Sequence, residues 1–385
     1  MGSASETEYL LLLAHDLKLL SQSDFESSQQ EVVSVKRMLT SLIRKPKTEN
    51  QKPMTPRVAI AGATGAVGTE FLKLLETRNF PMQNLRLLAS ARSAGKTLQF
   101  RGESLPVEEL TPDAFKDIDI AFFSAGGDRS KEFMPHAVNA GAVVIDNSSA
   151  FRMDPEVPLV VPEINAEATK QHKGIIANPN CSTIQMVVAL NPLHQAAGLK
   201  RVVVSTYQAV SGAGAKGMEE LQAQVRAWAK GEPLEVSAFP AQIAFNLFPH
   251  IDVFQENGYT KEEMKMVLET QKIMSLPDLP VSATCVRVPV LRAHSEAVWI
   301  ETEQPISPEK ARQVLEQAPG IRVLDEHAPG GYPMPWDIAE TLDTYVGRIR
   351  KDISHPNGLT FWVVADQLYK GAALNAIQIG ELLLD

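Results

Sequence analysis

Cysteine is scarce in this chain, with only Cys181 and Cys285 among 385 residues. Two thiols with no CxxC pair and no histidine cluster exclude a disulfide framework and a structural zinc site. They fit a reducing compartment, so a cytoplasmic location and no metal are the expectation. Long hydrophobic runs are also missing, and no apolar stretch approaches the ~20 residues that span a bilayer. Positive charge is not in excess: a net charge of -9 argues against nucleic acid as a partner. An anionic substrate would have to be met by local Arg and Lys against that field. The first residues are not poor in acid, since Glu6, Glu8, Asp16, Asp24, Glu26 and Glu31 are of the kind that transit peptides avoid.

What is present is an ordinary globular composition, 44% apolar and 22% charged, over a length sufficient for two or three domains. Residues 1–55 differ in texture from the rest. Leu10, Leu13, Leu17 and Leu20 share one helical stripe and Val32, Val35, Leu39 and Leu42 another, with Ser23 and Glu26 spaced as a capping box between them. The pattern predicts a helical hairpin, ended by a linker in which Pro46 and Pro53 stop helices.

From Arg57 the pattern becomes strand, glycine turn, helix. The run Val58 to Ala61 reads as a short buried strand, and Gly62-Ala-Thr64-Gly65-Ala66-Val67-Gly68 follows it before a helical stripe from Phe71. Glycines there let the turn close and backbone N–H groups approach a pyrophosphate at a helix N-terminus. The second strand, 85–90, runs into Ser90-Ala-Arg92-Ser93, where an NAD enzyme would carry a carboxylate for the ribose hydroxyls. Hydroxyls and a guanidinium accept a 2′-phosphate that a carboxylate would repel, which selects NADP. Strands at 118–123 and 142–145 continue the alternation, and Arg152, just beyond, sits where an entering anion would meet it.

A second centre is Asn178-Pro-Asn180-Cys181, where a short strand runs into a helix. A thiol at a helix N-terminus faces unpaired N–H groups and the positive end of the dipole, which favour the nucleophilic thiolate. Cys181 is the expected nucleophile. Asn180 and the N–H after Cys181 are candidates for stabilising an oxyanion. Taken alone, Glu262 and Lys265 are an ordinary i,i+3 pair on a helix predicted over 261–270.

In this order GATGAVG, SSAFRMD, NPNCSTIQM, YQAVSGAG, EEMK and RVPVLRAHSE resemble aspartate-β-semialdehyde dehydrogenases, most closely the bacterial NADP-using branch, over residues 57–385. The resemblance implies NADPH-dependent, reversible reduction of L-aspartyl 4-phosphate to L-aspartate 4-semialdehyde through a Cys181 thioester, a step toward lysine, threonine and methionine. It implies His294 as acid/base and Gln208 as the residue orienting substrate near the thiol. Arg287 would grip the α-carboxylate, Glu262 the ammonium, and Lys265 with Arg152 the phosphate. It also brings Ser211, Gly212 and Gly214 to the nicotinamide, with Asn375 on its carboxamide, and implies a homodimer or a dimer of dimers.

The expected fold is α/β: a doubly wound, Rossmann-like NADP domain over 57–180 plus 362–385, enclosing an α+β substrate and dimerisation domain over 181–361. Arg287 and His294, seven apart, would fall on opposite faces of one flat strand, so a bend is expected at Pro289. Cys285 is expected to pack on the face away from Arg287. Two other functions use similar residues. An N-acetyl-glutamyl-phosphate or glyceraldehyde-phosphate enzyme shares the Cys and His logic, but an N-acetylated substrate lacks the ammonium that Glu262 requires. A catalytically silent scaffold would be expected to lack Cys181 or His294.

Overall fold

The structure, a computed structural model, describes residues 55–384, so the helical hairpin and its capping box fall outside the described residues. Strand β1 (Arg57–Ala61) is buried along nearly its whole length, as a strand covered on both faces must be. It pairs in parallel with β2 (Asn84–Ala89) on one side and with β5 (Ile120–Phe123) on the other. The sheet continues through β6 (Val143–Asp146) and β7 (Ile175–Ala177) at one end, and through β3 (Thr97–Phe100) and β4 (Glu103–Glu109) at the other. Its order is β3-β4-β2-β1-β5-β6-β7, and only the β3–β4 pair is antiparallel. Winding reverses between β1 and β5, where the loops after both strands open a crevice at their carboxyl ends.

Helix α1 (Ala66–Thr77) follows β1, and α2 (Gly127–Asn139) follows β5. One core joins Val58 and Ile60 to Phe71 and Leu75 of α1, to Phe122, and to Ile377 and Ile379 of the C-terminal helix. Phe122 sits centrally in it, its ring 5.0 Å from that of Phe71 and 6.1 Å from that of Phe80.

Helix α3 (Cys181–Ala197) leaves the first sheet and buries its length against a second one. That sheet runs β11-β12-β13-β10-β8-β9, where β8 is Leu199–Gln208, β9 Val281–Arg287, β10 His294–Thr302, β11 Ile321–Val323, β12 Thr344–Lys351 and β13 Gly358–Ala365. Its inner face carries Val202, Val204, Ala283, Val298 and Ile300, packed with Ile184 and Val188 of α3. Helices α4 (Ala215–Lys230), α5 (Lys261–Ile273) and α6 (Pro308–Glu316) follow, and α7 (Leu374–Leu382) returns to the first core. The outer face is partly open, with Trp299 37% exposed and the Tyr207 ring tilted against Trp362 at 5.4 Å.

Two expectations about 285–294 are corrected. Arg287 and His294 do not lie on one strand bent at Pro289. They are on β9 and β10, which flank β8, parallel and antiparallel to it respectively. The chain turns over the end of β8, and β8 supplies the spacing that a bend was expected to give. Cys285 shares its face with Arg287, as a period of two requires. It packs below it, with Sγ 3.7 Å from the sulfur of Met266.

Replacing Phe122 with Ala should cost about 3–5 kcal/mol in chemical denaturation, because it empties the centre of the first core without a route to collapse. The denaturant midpoint should fall while the slope holds.

Candidate active site

The residues between β7 and α3 form a rigid corner. Asn180 caps α3, its Oδ1 accepting from Ser182 N at 3.1 Å and Thr183 N at 3.2 Å. This fixes Cys181 as the first residue of the helix, half-buried on a cavity of about 350 Å³. Arg152, Asn180, Gln208 and Glu262 line that cavity with Cys181, as do Lys265, Arg287 and His294. All eight residues named from the sequence as catalytic or substrate-binding therefore meet in one place. Ser149, Gly212, Ile251 and Asp252 complete the wall.

Helix α5 organises the polar side. Its start is fixed by a capping box in which Glu263 Oε2 accepts from Thr260 N at 2.7 Å. One turn of its face then presents Glu262 and Lys265, and a further turn presents Glu269. Glu262 accepts from Asn180 Nδ2 at 2.9 Å, from Gln208 Nε2 at 3.3 Å and from Lys265 Nζ at 2.9 Å. Burial works against its ionisation, yet Lys265 and the two amides hold its carboxyl below the ordinary range. Lys265 is shared with Asp252, 2.9 Å away. Glu269, nearly fully buried, pairs with Arg152 Nη1 at 3.0 Å and accepts from Asn180 N at 2.6 Å. Two further bonds aim Arg152, from Nε to Asn178 O and from Nη2 to Asn147 O.

The second sheet supplies the opposite wall as a row, with Arg287 directly beside Gln208 and His294 on the far side of β8. Ala209 holds both outer members. Its carbonyl accepts from Arg287 Nη1 at 2.6 Å, and its N–H donates to His294 Nδ1 at 3.0 Å. Gln208 also donates to Ser182 Oγ at 2.6 Å, and Gln185 Nε2 to the His294 carbonyl at 3.3 Å. A Cβ on Gly212 would lie 2.7 Å from Arg287 Nη1 and 3.4 Å from His294 Nε2. Glycine is needed there to let backbone cross over the row.

Two electrostatic expectations are corrected. Burial, and then the Glu262 charge, push the Cys181 thiol up to about 11, against Arg152, Arg287 and the Ser182 N–H. The free site therefore holds a thiol, and the helix terminus does not prevail. The N–H after Cys181 is not held free for an oxyanion alone, because Ser182 N also donates to Asn180 Oδ1 and faces the Cys181 sulfur. His294, fully buried, is held well below its ordinary value by burial and by Arg287.

The glycine loop fits a dinucleotide. Gly62 adopts φ +94°, and a Cβ on it would strike Ser124 O at 2.3 Å; one on Gly68 would strike Gly62 O at 2.2 Å. Gly65 starts α1 without a side-chain cap, leaving N–H groups at Ala66 and Val67 for a phosphate. Thr64 Oγ1 donates to Ser93 Oγ at 3.3 Å, joining this loop to the Ser90–Ser93 turn in which Arg92 is exposed. No carboxylate stands at the end of β2, where Ala89 and Ser90 follow Leu88. These residues would hold a nicotinamide dinucleotide.

Ser211 and Gly212 form a tight turn after β8, with Gln367 donating to Ser211 Oγ, and Gly214 leads into α4 at φ +78°. Asn375 is not brought into the cavity. It is fully buried, with Nδ2 bonded to Val160 O at 2.9 Å and Asn178 Oδ1 at 2.7 Å, while Oδ1 accepts from Lys370 Nζ. Its amide is committed to holding the corner before Cys181, so contact with a carboxamide would require one of these bonds to open.

Three residues were missed. Glu269 lies seven after Glu262, two helical turns on, and that spacing on the same face was a usable signal. Asp252 sits in an irregular segment at φ +68° and gave none. Gly371 belongs to a π-helical turn, where a Cβ would come 2.8 Å from Cys181 Cβ, a proximity that only the folded chain creates.

The site and the nucleotide fold together define a class, a nicotinamide-dependent dehydrogenase in which a thiol rather than water takes the acyl group. Residues 57–172 match the family described as semialdehyde dehydrogenase, NAD binding domain, and 190–370 match its dimerisation domain. The aspartate-semialdehyde dehydrogenase of Aquifex aeolicus is 60% identical over 332 residues, covering 85% of this chain and 98% of that one. The crystal structure of aspartate semialdehyde dehydrogenase II complexed with ASA from Vibrio cholerae has a TM-score of 0.84 at 50% identity, covering 86% of this chain and 98% of that one. One from Candida albicans with NADP has a TM-score of 0.68 at 27% identity, covering 86% and 98%. The chain belongs to the aspartate-semialdehyde dehydrogenase family.

If Cys181 rests as a thiol, its alkylation by iodoacetamide should rise about tenfold per pH unit from 7 to 10 without a plateau. Glu262→Gln should move that curve to lower pH, since the Glu262 charge is one of the two things holding the thiol up. A plateau at neutral pH would show a preformed thiolate.

Proposed function

We propose that this chain catalyses the reversible, phosphate-releasing reduction of L-aspartyl 4-phosphate to L-aspartate 4-semialdehyde with NADPH, in the biosynthesis of lysine, threonine and methionine. The observation that carries this reading is one cavity offering the Cys181 thiol, two arginines, a lysine and the Glu262 carboxylate, with Asp252 beside the lysine. An acyl phosphate of an amino acid has a matching set of groups: an electrophilic carbonyl, two anions and one ammonium.

Cys181 attacks the carbonyl, and the thioester conserves the energy of the acyl phosphate. Arg152 and Lys265 take the phosphate. Both are pre-paired with carboxylates, Lys265 with Asp252 and Glu262, so an arriving anion exchanges one charge for another rather than meeting a bare cation. Arg287 takes the α-carboxylate in a bidentate contact that lysine could not give. Glu262 takes the ammonium, which disfavours an N-acetylated substrate. Gln208 and Asn180 orient the substrate against Cys181. Bound NADPH supplies the hydride, and Gly62, Thr64, Gly65, Ala66, Val67 and Gly68 with Ser90, Arg92 and Ser93 would hold its phosphates. Ser211, Gly212 and Gly214 lie toward the nicotinamide end, and Asn375 would serve the carboxamide on exchange of a bond. NADP is favoured over NAD because no carboxylate stands at the end of β2.

A second copy of this chain is the partner proposed for the open sheet face around Tyr207, Trp299 and Trp362, giving a homodimer, with a dimer of dimers as the larger assembly. Among the described residues no helix is long and apolar enough to cross a membrane, and the two thiols agree with the cytoplasm.

Phosphate-dependent reduction of NADP by purified protein with L-aspartate 4-semialdehyde should be robust. It should be preferred over NAD by at least ~10² and fall by ~10⁴ or more in Cys181→Ala. N-acetyl-glutamate semialdehyde should be turned over poorly. The reverse preference would move the assignment to an N-acetyl-glutamyl-phosphate reductase.

A further inference from the structure

The polar face of α5 continues past the cavity. Glu262, Lys265, Glu269 and Lys272 follow one another at steps of three, four and three residues, which keeps all four on one side of the helix. Glu262 and Lys265 line the cavity, and Glu269 pairs with Arg152 in its wall. Lys272 is spent differently. Its Nζ donates to three main-chain carbonyls, Arg152 O at 2.7 Å, Asp154 O at 2.7 Å and Val157 O at 2.9 Å. An ammonium has three N–H donors and no acceptor, so this set uses it completely. The three carbonyls belong to the turn 151–157, whose own bonds are short-range, Asp154 N to Phe151 O at 3.1 Å and Val157 N to Asp154 O at 3.2 Å. Met153, next to Arg152 in that turn, is 48% exposed, so packing does not hold the tip.

Helix α5 therefore grips Arg152 twice, by the guanidinium through Glu269 and by the main chain through Lys272. The two grips differ in what an incoming anion does to them. A phosphate that takes the Arg152 guanidinium competes with the Glu269 carboxylate for its N–H groups. It leaves the main-chain tie untouched, because Lys272 is bonded to peptide carbonyls. We infer that Lys272 is a positioning residue for the phosphate subsite, tying the Arg152 turn to α5 so that the guanidinium stays at the cavity while it exchanges Glu269 for phosphate. The inference rests on the acyl-phosphate reading above, in which Arg152 and Lys265 take the phosphate. Lys265 stands on α5 and Arg152 on a separate turn, so the distance between the two cations is set by whatever joins that turn to that helix. An ammonium suits the task, since three carbonyl dipoles converging on one point repel one another unless a cation stands between them. Lys272 touches no ligand and takes no part in bond making.

The test separates phosphate from the rest of the reaction. In Lys272→Met, which keeps the stem and loses the donors, KM for phosphate should rise about tenfold or more in semialdehyde oxidation, while kcat and KM for the semialdehyde stay within about threefold of wild type. Calorimetric titration of the NADP complex with inorganic phosphate should weaken by the same factor. In Lys272→Ala, propylammonium should restore the phosphate KM and tetramethylammonium at equal ionic strength should not, since only the former carries N–H donors for the three carbonyls. Unchanged phosphate KM and affinity in the folded variants overturn the inference. So does a loss spread evenly over phosphate, semialdehyde and kcat, or a rescue that does not distinguish the two cations. Loss of the folded state in both variants would assign the ammonium to stability and also overturns it. Failure of the acyl-phosphate reading itself would show in the wild type, as no phosphate-dependent activity on the semialdehyde, and the phosphate titration would still report on Lys272.

Discussion

Buried charge is the constraint on which the rest of this site depends. Glu262 and Glu269 project from one face of α5 into the interior, and an uncompensated carboxylate there would cost several kcal/mol. Each is compensated by a group from elsewhere in the chain: Glu269 by Arg152 and the backbone of Asn180, Glu262 by Lys265 and the amides of Asn180 and Gln208. The Arg152 loop, the corner before Cys181, the end of β8 and α5 are thereby required to meet. Removing one partner of such a pair typically costs ~3–5 kcal/mol, far more than the pair adds over an apolar core. The network therefore specifies an arrangement more than it stabilises the fold, and the arrangement is the wall of the Cys181 cavity.

The same burial decides the state of the nucleophile. A helix N-terminus contributes roughly 0.3–1 kcal/mol toward an anion, less than one pKa unit. The Cys181 thiol nevertheless rises to about 11 from an ordinary 9.0, because burial and Glu262 together outweigh the terminus and both arginines. A resting thiol guards against oxidation and stray alkylation. The Glu262 charge that helps hold the thiol up lines the same cavity, so any cation arriving there would lower the thiol.

The second sheet provides the alignment that the first cannot. Arg287, Gln208 and His294 stand side by side on β9, β8 and β10, and the row behind them, Cys285, Thr206 and Glu296, is also polar and buried. Strands lie ~4.8 Å apart, so a row of three spans the length of a small amino-acid derivative. Gly212 above the row and Gly371 against Cys181 are the two places where backbone comes close enough that a methyl group would displace a functional side chain.

Much of this was legible in the sequence, for a definite reason. Strand–glycine–helix at 58–75, the corner at Asn178–Cys181 and the helix at 261 are local patterns, set by backbone sterics, capping and periodicity within a few residues. They placed the nucleotide loop, the cysteine at its helix start and Glu262 beside Lys265. What local pattern could not supply was the face and partner of each side chain. Cys285 and Arg287 share a face, Arg287 and His294 sit on different strands, and Asn375 is turned inward to Asn178 and Val160, because register and burial are set by chain segments far apart in sequence. The protonation of Cys181 belongs to the same category. Sequence determined which chemical groups this protein has and where each starts along the chain. Tertiary structure alone decided which of them are desolvated and what they face, because desolvation and hydrogen bonding act through space and not along the backbone.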